Sequence, residues 1–122
     1  MGPGNIVVER TLPIDGALLG DVLLRLRRDA HGAVVHWTLG DHGTAEVDVN
    51  FTSDGPSWHS SARVWERNRL AVINVEFRLT RVAEDTVVLR LATGAEVPEL
   101  MRALLDELAE ELLWHATRAG VS

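Results

Sequence analysis

Five histidines, His31, His36, His42, His59 and His115, are the first residues to test for chemistry in this chain. No two stand at the i, i+4 spacing that places both imidazoles on one helix face for a metal. There is no cysteine, which excludes disulfides, thiolate ligands and a cysteine nucleophile. The nucleophile elbow G-x-S-x-G, the phosphate loop, G-x-G-x-x-G and H-E-x-x-H are all absent. No catalytic residue, cofactor or metal is therefore assigned.

Three other features carry polar chemistry or leave space for a ligand. His115 lies one helical turn beyond Glu111. A carboxylate there would fix the imidazole tautomer and make a proton donor or acceptor. The alternative is a histidine that sits near a helix C-terminus because the dipole favours it, bonded to a carbonyl. Arg10 shares a strand face with Ile6, Val8 and Leu12. Facing inward, it would meet a ligand carboxylate or phenolate; on an edge strand its head would reach back to water. The aromatic set is four tryptophans, two phenylalanines and no tyrosine. Trp37 aligns with Val35 and Leu39, and Trp58 with Ser60, Ala62 and Val64. Such indoles either wall an apolar site or fill a core. Ser60 and Ala62 are small in mid-strand, where a filled core favours bulk, so this is the strongest hint of a cavity. Trp65 shares its face with His59, Ser61 and Arg63. With Leu70 and Val72 it forms an outward patch that suggests a homodimer.

The elements that must position these residues follow from periodicity. NIVVERTL (Asn5 to Leu12) is β-branched and ends at Pro13, so it reads as a strand. Asp15 has the chemistry of a helix N-cap, with Ile14 and Leu19 spaced as a hydrophobic staple. Leu18, Leu19, Val22, Leu23 and Leu26 make one helical face, and Gly32 suits a left-handed cap. A helix is thus expected from Gly16 to Ala30. From Ala33 to Thr93 the pattern is a meander of about five strands. They are Ala33 to Leu39, Thr44 to Phe51, Trp58 to Glu66, Leu70 to Val82 and Thr86 to Ala92. Gly40-Asp41-His42-Gly43, Asp54-Gly55-Pro56, Arg67-Asn68 and Glu84-Asp85 supply the turns. Connections this short join only antiparallel neighbours. Alternation, with Ala45, Val47, Val49 and Phe51 on one face and Glu46, Asp48 and Asn50 on the other, leaves one face buried and one wet. Ala71, Ile73, Val75, Phe77 and Leu79 continue the buried face. Pro98 to Arg118 is the closing helix, with Leu100, Met101, Leu104, Leu105, Leu108, Leu112 and His115 on its apolar side.

At 122 residues the chain is expected to be one domain spanning 1–122, long enough for a core without staples. Its formal net charge is −6, and all twelve basic residues are arginine. An acidic chain without a basic stripe is a poor nucleic-acid partner. Met1-Gly2-Pro3-Gly4-Asn5 has neither a basic n-region nor an apolar h-region, and no apolar run reaches the length of a membrane span. The expected location is the cytoplasm.

The order strand, helix, meander, long helix gives an α+β fold in which the last helix covers an antiparallel sheet. IVVERTLPIDGALL at the start, AVVHW at the head of the meander and VPELMRALLDELAEELL at the end resemble the START-like, or SRPBCC, superfamily of helix-grip proteins. That superfamily includes lipid-transfer domains and small polyketide cyclases. The resemblance implies a cavity for a small hydrophobic or aromatic molecule between sheet and last helix. Its expected lining is Arg10, Trp37, Phe51, Trp58, Ser60, Ala62, Ile73, Val75, Phe77, Leu104, Leu108, Glu111 and His115. Two alternatives remain at this point: an aromatase/cyclase-like enzyme acting through Arg10 or His115, and a non-catalytic interaction module with a filled core.

Overall fold

Pro13 and Asp15 decide how the chain leaves its first strand. In the computed structural model, which describes residues 6–28, 34–67, 72–95 and 97–119, β1 (Ile6–Leu12) stops just before that proline. The Asp15 carboxylate accepts the Ala17 N–H at 2.9 Å and caps a 3-10 turn, Gly16–Leu18. α1 (Leu19–Arg28) follows directly, with Leu19, Val22, Leu23 and Leu26 buried and Arg25, Arg27 and Arg28 in its last turn. The helix expected from Gly16 therefore opens as a tighter turn, as helix starts often do. The expectations placed on Asn5, Ala30, His31, Gly32, Ala33, Asn68, Leu70 and Ala71 lie outside the described residues.

β2 (Val34–Thr38), β3 (Gly43–Asp48), β4 (Thr52–Asp54), β5 (Ser57–Glu66), β6 (Val72–Ala83) and β7 (Thr86–Thr93) build the sheet, and α2 (Pro98–Ala119) closes the chain. The sheet order is β1-β7-β6-β5-β3-β2, with β4 beside the start of β5, and every pairing is antiparallel. Gly40 and Gly55, at φ 58° and 59°, take the left-handed conformation that the β2–β3 and β4–β5 turns require. Gly43 has a different constraint. A Cβ there would lie 2.0 Å from the Trp65 carbonyl oxygen, so the close approach of β3 to β5 needs a residue without a side chain.

One expected element is corrected. The uninterrupted strand from Thr44 to Phe51 ends at Asp48, and the chain bends before starting β4. The Asp48 carboxylate accepts the Asn50 N–H at 2.8 Å, a local bond that competes with the ladder. Val47 faces Ala62 whereas Thr52 faces His59, so five steps on this side match three on β5. The meander accordingly has six strands rather than about five.

The inner face follows the predicted alternation. Ala45, Val47, Ala62, Val64, Ile73, Val75, Phe77, Leu79, Val87, Leu89 and Leu91 form one cluster with Leu100, Met101, Leu104, Leu105, Leu108 and Leu112 of α2. α2, at 1.5 Å per residue about 33 Å long, packs against β1, β7 and α1. This antiparallel sheet with a long C-terminal helix is compatible with a helix-grip-like α+β fold. No described helix is long and apolar enough to cross a membrane.

Candidate functional site

The expected lining residues occupy three different settings. Ala62, Ile73, Val75, Phe77, Leu104 and Leu108 belong to the contiguous core, with Val75, Leu104 and Leu108 at 0% exposure. Leu104 and Leu108 are placed there by the i, i+4 stacking of α2, and the sheet residues by strand alternation. Their side chains pack against one another.

Trp37, Phe51 and Trp58 border that core and are half-buried. Trp37 lies opposite Ala45 near the outer edge of the sheet. Phe51 meets Phe77 edge to face, with centroids 5.6 Å apart at 73°. Trp58 turns toward α1, where a Cβ on Gly20 would stand 4.0 Å from its Cζ2. Ser60 is committed to the fold, because its hydroxyl donates to the Asp48 carbonyl at 2.9 Å.

The polar candidates are separated. Arg10 binds Asp106 of α2, and both side chains are substantially exposed. β1 is an edge strand, and the Arg10 guanidinium is held there by Asp106 of α2. His115 is buried at 3% exposure, and its Nε2 lies 3.8 Å from Glu111 Oε2, within ion-pair reach but long for a hydrogen bond. Trp114 presents its ring edge-on to His115 at 4.8 Å, and Arg118 stacks on Trp114. His36 is exposed, 3.8 Å from Glu46, and Arg63 binds the same carboxylate. Among the described residues no three metal-ligating side chains gather.

A concave feature lies on the opposite side of the sheet. A groove of about 610 Å³ opens there, lined by Asp48, Asn50, Thr52, His59, Ser60, Ser61, Glu76, Phe77, Arg78, Arg90 and Ala92. The bend between β3 and β4 forms it. Where the two strands part, Ser60 and Ser61 have no ladder partner on that side, and β4 stands as the groove's rim. His59, Arg78 and Arg90 lie in one row across β5, β6 and β7, with His59 opposite Arg78 and Arg78 opposite Arg90. Ser61, Glu76 and Ala92 form the next row. Sequence reasoning placed His59 and Ser61 on this wet face but missed the groove, because the bend was read as continuous strand. Asp48 and Asn50, flanking Val49, were the available signal, since both residue types favour turns.

No family model matches the chain, and no curated protein matches it. Among solved structures, the crystal structure of the hypothetical protein jhp0584 from Helicobacter pylori is similar at 13% identity, covering 94% of this chain and 89% of that one, with a TM-score of 0.49.

Proposed function

We propose that this chain is a non-catalytic binding module with a filled core, and that it binds on the outer face of its sheet. The observation that carries this reading is the contrast between the two faces. Leu104, Leu108 and Val75 are sealed at 0% exposure, while a groove of about 610 Å³ opens on the other side. Ser60 donates its hydroxyl to the Asp48 carbonyl at 2.9 Å, which commits it to the fold. An antiparallel sheet under a long C-terminal helix is compatible with a helix-grip-like α+β fold, and in this chain the side chains between sheet and helix form one packed cluster.

Native mass spectrometry of protein purified from its own host, wild type against Ser61→Trp, tests the reading. A co-purified ligand lost in Ser61→Trp supports the groove. A ligand retained in that variant and lost in Ala62→Leu would place the site between sheet and helix instead. A second reading, self-association, rests on Trp65 lying opposite Val72, which is 44% exposed on the outer face.

A further inference from the structure

We propose that the outer-face groove recognises a small zwitterion, taking its carboxylate on Arg78 and Arg90 and its ammonium on Glu76 and Asp48. This rests on the outer-face reading above and gives that site its ligand class. Arg78 and Arg90 are directly opposite on neighbouring strands, where like charges repel. His59 extends the same row on the other side of Arg78. Arg78 has one distant partner, Asp54 Oδ2 at 3.6 Å. Arg90 makes no side-chain hydrogen bond or ion pair among the described residues, and neither does Glu76. An anion seated between the two guanidiniums would relieve their repulsion and accept their forked donors.

A purely anionic ligand does not fit the rest of the lining. Glu76 and Asp48 face the same groove, and Glu9 lies opposite Arg90 from β1. The row holding Glu76 lies two residues from the row holding Arg78, about 7 Å along the strand. Asp48 keeps one carboxylate oxygen beyond the Oδ1 that accepts the Asn50 N–H. The groove thus offers a positive row and a negative row whose Cα atoms are about 7 Å apart, and the long Arg and Glu side chains can meet charges of both signs separated by a few carbons. Ser61 and Thr52 add hydroxyls beside the two rows.

The test uses three probes of similar shape, 4-aminobutanoate, butanoate and butylamine, titrated into the full chain and followed by amide NMR. 4-Aminobutanoate should move the His59, Ser61, Arg78 and Arg90 amides and bind about fivefold more tightly than either single-charge probe. Arg90→Gln should remove its advantage over butylamine, and Glu76→Gln its advantage over butanoate. Both positions are exposed, so neither variant should lose its fold. Equal binding of all three probes in the groove would overturn two-sign recognition and leave the outer-face site standing. Shifts confined to Leu104 and Leu108 would overturn the outer-face site itself. Silence from all three probes to tens of millimolar would also overturn the proposal.

Discussion

Replacing Ala62 by leucine separates a filled core from a ligand chamber by the sign of one number. Ala62 points inward from β5 at 3% exposure, between Val47 of β3 and Val75 of β6, both at 0%. Val64, two residues along the strand, is 1% exposed. The substitution adds three carbons. In an empty dry space they would stabilise the fold by about 2.4 kcal/mol, at about 0.8 kcal/mol for each buried carbon. Against packed neighbours the same carbons force side chains off their rotamers and cost about 1–3 kcal/mol. The two cases differ by about 3–5 kcal/mol, a large share of the 5–15 kcal/mol that holds a typical domain together. Urea unfolding followed by tryptophan fluorescence reads the difference. With a slope of about 1–3 kcal/mol/M, the midpoint should fall by about 1 M in Ala62→Leu with the slope unchanged. A midpoint that stays or rises would refute the filled core, and the proposed module with it.

Three further outcomes are expected. Leu108→Ala should cost about 2–5 kcal/mol, because a fully buried leucine leaves a cavity the surrounding sheet cannot close; a loss below about 0.5 kcal/mol in chemical denaturation would mean that α2 is not anchored there. Burial, and then the nearby charges of Glu111 and Glu110, raise the Glu107 carboxyl above its ordinary value of 4.5. Its ionised form therefore opposes folding: the penalty is absent below the unfolded value, grows as pH climbs to the raised folded value, and stays full above it. Glu107→Gln should raise the melting temperature at neutral pH and leave it nearly unchanged below pH 4.5, and equal effects at both would contradict the assignment. Trp65→Glu should convert a self-associating wild type to monomer in analytical ultracentrifugation, and a wild type already monomeric at high concentration ends that reading.

Much of the architecture was legible from local chemistry. Asp15 capped the first helical turn, the turn glycines stood where positive φ was needed, and period-two alternation separated Val47, Ala62 and Val75 from Glu46, Arg63 and Glu76. These readings depend only on each residue and its near neighbours, so the sequence carries them. Contacts between distant segments were not legible. Arg10 and Asp106 are 96 residues apart, and only the pairing of β1 with β7 under α2 brings them together. Volume mismatch at Ser60 and Ala62 suggested a cavity, yet Ser60 Oγ turns to the Asp48 carbonyl and Ala62 lies between two valines. Whether small residues leave a void depends on how closely the opposing layer approaches, which is a property of the assembled layers. The bend that ends β3 had the same character. Alternation continued through Val49 and Phe51, which do turn inward, so the pattern alone could not mark where hydrogen bonding stopped. Tertiary structure decided that break, and with it the groove that sets His59, Glu76, Arg78 and Arg90 on one surface.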